Sequence, residues 1–458
     1  MYSNKRFIVS ASALVFAIIV MWAGASVYVG KRLESEFQKV VQASVQSHSY
    51  RLRNLKHQVG MFASSGQADL ALIDECGAIG SAPEYFKARL SYKLSHLILP
   101  TSLARIEWSL EPSGEAKADF EKLFNGQARL EGRGKIGITG TLQSDMSLPE
   151  IKWGQRGTVV SVSPSAGTIT IGKGALDVDW KTAKITGRGH GSAMQLDGLG
   201  MQVGLSNVQR GLGSVTLTVD KIATSLGSAE GIQLATEVLE QGDHLNMTMT
   251  PSIKSLSGGG KDFKDLMLQI AVNGLHGKSI EYLLNLSQTS CNFHNLTKKE
   301  AEQMRDSVRT LLFEGFSAGI QKIGGTVDGD TLDARLMVEL VKTTGTEFKL
   351  VSVLKSRGQL TLLGKDNQDT QQDHKNSLVS MGVGTKIPGG VKAEYDYDAG
   401  LMKLNGAVFD AALLESIMSG VDKAINAFLR GEVATELAPS SPPMEALPEE
   451  AQQPEVEA

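Results

Sequence analysis

The sequence contains very little cysteine, few aromatic side chains and no large excess of charge of either sign. Two cysteines in 458 residues exclude a small disulfide-dense scaffold. Aromatic residues make up 6% of the chain, so large aromatic anchors are scarce. The 46 basic and 50 acidic residues give a net charge of −4, which excludes a strongly basic nucleic-acid-binding protein.

Glycine and hydrophobic residues are well represented. The 49 glycines are about 11% of the 458 residues, above the usual share of about 7%. The hydrophobic content of 41% is too high for a disordered chain and too low for a protein with many membrane spans. The length allows two or three ordinary domains or one long β-rich body.

One long apolar run lies at the N-terminus, from Phe7 through Trp22 to Val29, and it contains no charge. Its 23 residues would form a helix of about 34 Å, enough to cross a hydrocarbon core of about 30 Å. Lys5 and Arg6 precede it and favour a cytoplasmic N-terminus with an exported body. The run therefore predicts a single-pass inner-membrane anchor, with a cleaved signal peptide as the alternative because 23–25 has the A-x-A form.

The rest of the chain alternates between apolar and polar residues over many short stretches. Leu176, Val178 and Trp180, for example, alternate with Asp177 and Asp179. This pattern predicts strands with one buried and one solvated face, and the short turns between them favour antiparallel pairing. The predicted fold class is α+β, with an N-terminal transmembrane helix followed by a large, mostly antiparallel, curved β-sheet body and a few packed helices.

The predicted domain organisation has five parts. They are a cytoplasmic stub at 1–6, the transmembrane anchor at 7–29, a membrane-proximal helix at 30–47, a periplasmic β-rich domain at 48–430 and a disordered tail at 431–458. A capping box at Thr297 and an apolar periodicity predict helices at about 297–323 and 410–429 within the β-rich domain. The tail contains seven Glu and five Pro and no Lys or Arg, so it cannot bury an apolar face.

Four segments carry a recognisable family pattern. The first has the form W-x-G-x-x-x-Y-x-G-K-x-x-E and consists of Trp22, Gly24, Tyr28, Gly30, Lys31 and Glu34. The others are 60–64 (GMFAS), 95–100 (SHLILP), in which Leu97 and Ile98 stand where the pattern has Gly-Pro, and 400–406 (GLMKLNG). These segments resemble the YdgA-like bacterial family, a domain of unknown function that is distantly AsmA-like. The resemblance implies a Gram-negative inner-membrane protein with a β-rich periplasmic domain in the cell envelope, and it implies no activity.

Two short motifs suggest catalysis but lack the required context. The sequence 315–319 fits G-x-S-x-G, the pattern of a nucleophilic serine, with His374 downstream. Because Ser317 falls late in the predicted helix and no alternation of strands and helices surrounds it, small residues for close helix packing are the preferred interpretation. The near P-loop at 167–174 has Gly174 in place of the Ser or Thr that binds Mg²⁺, and its centre alternates as a strand.

No catalytic, cofactor-binding or metal-binding residue is predicted. Cys291 and His294 have a C-x-x-H spacing, but a structural zinc site needs four ligands. Cys76 and Cys291 would both meet an oxidising periplasm and could form a disulfide, with two separate buried thiols as the alternative.

The sequence predicts a non-enzymatic protein of unknown biochemical activity. If the predicted helices cover only part of the apolar face of the sheet, the remaining groove could bind lipid acyl chains or an apolar partner segment. The first hypothesis is a membrane-anchored protein that binds a lipid or an envelope partner. The alternatives are a structural or assembly factor that binds another envelope protein and, more remotely, a periplasmic serine hydrolase that uses Ser317.

Overall fold

The computed structural model describes most of the chain between residues 50 and 432. The described ranges are 50–60, 62–73, 84–99, 102–114, 117–118, 129–155, 157–189, 192–208, 210–289, 296–364, 376–409 and 412–432, together with Lys31, Ser35 and Gln38.

The described residues include twenty-two strands and four helices with defined bounds. The strands are β1 (Tyr50–Val59), β2 (Ala63–Ile73), β3 (Glu84–Leu99), β4 (Ser102–Pro112), β5 (Leu130–Gly137), β6 (Leu142–Leu148), β7 (Ile151–Gln155), β8 (Thr158–Val162), β9 (Ser165–Gly172), β10 (Ala175–Gly189), β11 (Ser192–Asn207), β12 (Leu212–Thr224), β13 (Gly227–Gln241), β14 (His244–Gly258), β15 (Lys261–His276), β16 (Phe316–Val327), β17 (Asp330–Leu340), β18 (Leu354–Leu363), β19 (Thr385–Ile387), β20 (Gly390–Asp398), β21 (Leu401–Leu404) and β22 (Ala407–Phe409). The helices are α1 (Gly277–Thr289), α2 (Lys298–Glu314), α3 (Leu350–Val353) and α4 (Ala412–Arg430).

All the strands belong to one antiparallel sheet in which neighbours along the chain are mostly neighbours in space. Strands β1 to β6 pair in sequence, β6 pairs with β9, and β9 to β18 again pair in sequence. β20 pairs with β18 and continues through β21 to β22, while the hairpin of β7 and β8 joins the far half of β10 and the short strand β19 joins the end of β20. The sheet is therefore a single long meander.

Tight turns explain why consecutive strands can pair directly. In the two-residue loops Asp328-Gly329 and Asn405-Gly406, both residues have positive φ: 51° and 96° in the first, 50° and 83° in the second. This is the backbone of a type I′ turn, whose twist matches that of an antiparallel hairpin. The loop at 328–329 is thus a hairpin turn between β16 and β17.

The helices lie at only a few places on the sheet. α1 and α2 pack on each other and against β15, while α3 and α4 pack together near β17. Asn426 of α4 accepts a hydrogen bond from the backbone N–H of Phe348 (2.9 Å) and donates one to its carbonyl (2.8 Å). Asp422 accepts another from the N–H of Leu350 (2.7 Å). These bonds fix α4 to the connection that leads into β18.

The structure corrects the predicted fold class. It is mostly antiparallel β-sheet, with 66% of the described residues in strands and 18% in helices, which contradicts the predicted α+β fold with an N-terminal transmembrane helix. No helix among the described residues is both long and apolar enough to cross a bilayer, so the membrane-protein and signal-anchor classification is wrong for this structure. The segment from Phe7 to Val29, on which that classification rested, lies outside the described residues, as does almost all of 30–47 and the tail beyond 432.

The two predicted helices of the body also need correction at their ends. The capping box of Thr297 and Glu300 is present, but α2 ends at Glu314 and the residues predicted to continue it to 323 form β16. The reason is Gly315, whose φ of 76° and ψ of 162° leave the helix and direct the chain into the sheet. The second helix is observed at 412–430, close to the predicted 410–429.

Candidate functional site: the apolar face of the sheet

One face of the sheet is apolar along its whole length. Residues directly opposite each other on paired strands share a face, so a row can be followed from strand to strand. One row runs through Val59, Ser64, Leu94, Ile106, Gly134, Ser144, Ile169, Val178, Val203, Val215, Thr236, Met249, Ile270, Ile320, Leu336, Gly358, Tyr395 and Leu404. We call the face that carries this row the apolar face.

Two further rows lie on the same face, one on each side of the first row and displaced from it by two residues along every strand. On the middle strands one row consists of Ile171, Leu176, Leu205, Gly213, Val238, Met247, Val272, Ala318 and Val338. The other consists of Gly167, Trp180, Met201, Leu217, Leu234 and Pro251. The rows contain no charged residue between β9 and β17, whereas the opposite face carries residues such as Asp179, Gln202 and Thr216.

The apolar face is covered at both ends of the sheet and accessible in the middle. Leu94 and Ala104 near one end and Tyr397 near the other have no exposed surface. By contrast, Leu217 and Leu234, which lie opposite each other on β12 and β13, are each 37% exposed. Ile171, Met247 and Leu336 are exposed to a similar or larger extent. The open part therefore extends from β9 to β17.

The dimensions and chemistry of this open part suit a hydrocarbon ligand. Nine strands spaced at about 4.8 Å span about 38 Å, and on β9 to β14, where all three rows are present, the outer rows are about 13 Å apart. The backbone N–H and C=O groups of these strands are largely used by the sheet itself, so the face offers few directional hydrogen bonds. It can make extensive apolar contacts with a long chain.

Aromatic side chains lie over glycines on this face. Tyr92 lies opposite Gly66, Trp108 opposite Gly132 and Trp180 opposite Gly167. A Cβ atom on any of these glycines would overlap the facing ring. The Trp108 indole N–H donates to the hydroxyl of Ser144 (3.0 Å), which satisfies its polar atom in the core. These pairs cannot be recognised in the sequence, since their partners are 13 to 26 residues apart in the chain.

Two of the segments that resemble the YdgA-like family meet beneath this face. The hydroxyl of Ser64, from the segment 60–64, lies 2.9 Å from Nε2 of His96, from the segment 95–100. The backbone N–H of His96 also donates to the carbonyl of Phe62 (2.9 Å). Ser64 is 2% and His96 1% exposed, so the pair is a buried hydrogen bond that holds the start of β2 against β3. Burial of both partners makes a structural role the best interpretation of these motifs.

The end of the sheet near α4 is held by a second buried polar contact. The hydroxyl of Tyr397 donates to the sulfur of Met418 in α4 (3.3 Å). Burial raises the pKa of the Tyr397 phenol, while a hydrogen bond with the backbone of Gly400 opposes that shift. The phenol therefore remains neutral, as a donor to sulfur requires.

Ser317 does not form a nucleophile elbow. It is the second residue of β16 and follows helix α2, which is the reverse of the strand-to-helix order that the motif needs. Its neighbours across the sheet are Asn273 and Glu339, and neither supplies an imidazole. The earlier placement of Ser317 inside a helix was wrong, and His374 lies outside the described residues.

Most of the other residues considered from the sequence lie outside the described part of the chain. Cys76, Cys291 and His294 lie outside the described residues, as do the anchor positions Phe7, Trp22 and Val29. Within the described part of the chain, no group of three or more His, Cys, Asp or Glu could hold a metal ion. The near P-loop at 167–174 is β9 followed by the turn into β10, as its alternation predicted.

Comparison with known proteins identifies the family. Searches of the curated proteins and of the solved structures found no match. The family model described as "Bacterial protein of unknown function (DUF945)" matches residues 4–412, which is most of the chain. The match agrees with the expected bacterial family of unknown function and does not extend to the YdgA-like or AsmA-like specifics. The chain belongs to the bacterial DUF945 family, whose function is not known.

Proposed function

We propose that the protein binds the acyl chains of lipids on the open part of its apolar face and has no catalytic activity. The observation that carries this proposal is the uninterrupted set of uncharged rows from β9 to β17, with Leu217 and Leu234 37% exposed. Removing apolar surface on this scale from water is favourable. A hydrocarbon chain can cover this surface without bringing hydrogen-bonding groups that would need partners.

We further propose that this binding takes place in the bacterial envelope, outside the cytoplasm. The support is the uncharged stretch 7–29 behind Lys5 and Arg6, which has the composition of an export signal. An alkaline phosphatase fused after residue 432 should be active in cells only if the body is exported. An active β-galactosidase fusion at the same position, with an inactive phosphatase fusion, would refute this location.

The lipid proposal is tested by mass spectrometry of organic extracts of the purified full chain. We expect phospholipid to co-purify at one or more molecules per protein. The double variant Leu217→Glu/Leu234→Glu places two carboxylates on the open face and should reduce bound lipid at least about tenfold, since burying an unpaired charge against hydrocarbon costs several kcal/mol.

A matched control lies one residue away on the same strands. Thr218 and Gln233 face each other on the opposite face, so Thr218→Glu/Gln233→Glu adds the same two charges at nearly the same place. This control should retain bound lipid, and circular dichroism checks that both variants fold. Equal lipid content in the two variants, or no lipid in the unaltered protein, would show that the apolar face is not a lipid site.

A second proposal is that the protein assembles with another envelope protein. The observation that favours it is a group of exposed apolar side chains at the β22 end of the sheet. Val408 is 67% exposed, and Phe409 and Ile417 are each 57% exposed. A lipid-free preparation that contains a second protein in stoichiometric amount, lost on Val408→Lys/Phe409→Lys, would support this function over the first.

A further inference from the structure

The polar face of strands β1 to β6 contains two adjoining cavities, on the side of the sheet away from the apolar face. Their volumes are about 520 Å³ and 570 Å³, and they share Glu107 and Arg133 as lining residues. Volumes of this size are typical of sites for small molecules. Most lining residues alternate along the strands with the buried core residues Leu94 and Ile106, and the core residue Tyr92 also lines the first cavity.

Basic side chains dominate the lining of both cavities. The charged lining residues are six basic, Lys56, Lys93, Arg105, Arg129, Arg133 and Lys135, and three acidic, Glu107, Glu131 and Asp145. Arg129 is paired with Glu131 and with Glu111 (3.4 Å), which neutralises Glu131. Five basic groups then remain against two carboxylates.

Four of these five basic side chains are not engaged in ion pairs within the described part of the protein. Lys93, Glu107 and Arg133 lie opposite one another on β3, β4 and β5, yet neither cation forms an ion pair with the carboxylate. Within the described ranges, Lys93, Arg105, Arg133 and Lys135 make no hydrogen bond or ion pair. Several cations that converge on one concave surface without partners create a positive potential that attracts anions.

The first cavity is also lined by small hydroxyl side chains. Ser65, Ser91 and Ser109 line the first cavity between the long basic residues. Hydroxyls both donate and accept hydrogen bonds, so they suit a ligand that carries hydroxyl groups of its own. Lysine and arginine together are the usual partners of phosphate oxygens.

We propose that these cavities form a binding site for a phosphate-bearing, polyhydroxylated anion, with Lys93 and Arg133 as its central contacts. Such a ligand could be the headgroup of an anionic glycerophospholipid or a free sugar phosphate. The site lies on the face opposite the proposed acyl-chain surface, and it does not depend on lipid binding there.

Two probes distinguish the sources. Isothermal titration calorimetry measures the binding of glucose 6-phosphate to the full chain, with glucose as the uncharged comparison. Flotation measures binding to vesicles of phosphatidylcholine with and without phosphatidylglycerol. Binding of the sugar phosphate alone identifies a soluble ligand, and binding of only the phosphatidylglycerol vesicles identifies a headgroup. In either case affinity should fall steeply with added salt.

The variant Lys93→Gln/Arg133→Gln should weaken the probe that binds at least about tenfold. A matched control is Lys184→Gln/Lys264→Gln, which removes two exposed basic groups from β10 and β15, far from the cavities. The control should bind as the unaltered protein does, and Leu217→Glu/Leu234→Glu should too, which separates this site from the acyl-chain surface. Failure of both probes to bind, or equal losses in the cavity variant and its charge-matched control, would overturn the proposal.

Discussion

The replacement of Gly198 by alanine should destabilise the middle of the sheet because this residue lies on a line of interrupted pairing. The in-register pairs of β11 and β12 stop at Leu199–Val219 and resume at Asp197–Lys221, which leaves Gly198 opposite Asp220 without a ladder pair. The same line crosses the next strands at Gly231, Lys254 and Asp265. The φ angles of 66° at Gly198, 61° at Gly231 and 52° at Asp265 are all in the left-handed region.

The expected cost of Gly198→Ala follows from this geometry. An L-residue with a side chain pays about 1–2 kcal/mol for left-handed backbone. The new Cβ would also overlap the Asp220 carboxylate, which is exposed and can move aside. We therefore expect a local destabilisation of about 1–2 kcal/mol, which corresponds to roughly a 5- to 30-fold shift in an opening equilibrium.

Hydrogen–deuterium exchange of the amides of β11 and β12 measures this opening directly. Gly187→Ala on β10 is the matched control, since Gly187 does not have positive φ and no atom lies within 4 Å of its added Cβ. That substitution should leave exchange unchanged or slow it slightly, because alanine restricts the unfolded chain. If both variants accelerate exchange equally, the left-handed backbone at Gly198 is not what makes this position sensitive.

Three further predictions concern the two ends of the sheet and helix α2. Gly132→Ala should cost about 1–3 kcal/mol and shift tryptophan fluorescence, since the new Cβ would displace the Trp108 ring; an unchanged spectrum would contradict this contact. Tyr397→Ala should cost about 3–5 kcal/mol in urea unfolding, and Tyr397→Phe only about 1 kcal/mol, because burial outweighs the hydroxyl contact; equal losses would reverse that ranking. Hydrogen bonds from the Thr297 side chain and backbone hold the pKa of Glu300 below its usual 4.5, so the stability they give α2 is present above that value and should be lost as pH falls below it. Thr297→Ala removes the side-chain bond and keeps the backbone one, so it should weaken this pH dependence in hydrogen exchange of α2, and an unaltered profile would mean that the Thr297 side chain does not contribute to it.

Local patterns predicted the antiparallel sheet but not the length of its strands. In the sequence, Val215, Leu217 and Val219 alternate with Thr216 and Thr218, a pattern that predicts part of β12, whereas the strand extends from 212 to 224. Beyond Asp220 the apolar position is Ile222, so the alternation changes from odd to even residue numbers at the line of interrupted pairing. A period-2 pattern that breaks inside a strand looks like the end of that strand, and only the register of the neighbouring strands shows that it continues.

The helix and the serine motif near 315 show a different reason for error. The apolar residues Phe316, Ile320 and Ile323 continue the helical spacing of α2, but they also fit a strand with a local irregularity, and the structure places them in β16 with a register shift between Ile320 and Ile323. A short apolar run has no periodicity that separates the two. The positive φ of Gly315 decides the outcome, and glycine alone in a sequence does not reveal which conformation it adopts.

The open part of the apolar face leaves hydrophobic side chains in contact with water, and covering them would lower the free energy of the protein. Domains are usually built from at least two layers, because a sheet with one apolar face must bury it against another element. Here the packed helices lie near β15 and β17, and the sheet between β9 and β14 carries exposed side chains such as Leu217. Covering the three rows on β9 to β14, an area of about 24 by 13 Å or close to 300 Å², would yield on the order of 8 kcal/mol at about 25 cal/mol per Å². This gain is of the same order as the cost of associating a ligand or partner, so a hydrocarbon chain along the face would largely offset that cost and would supply the layer that the described helices do not.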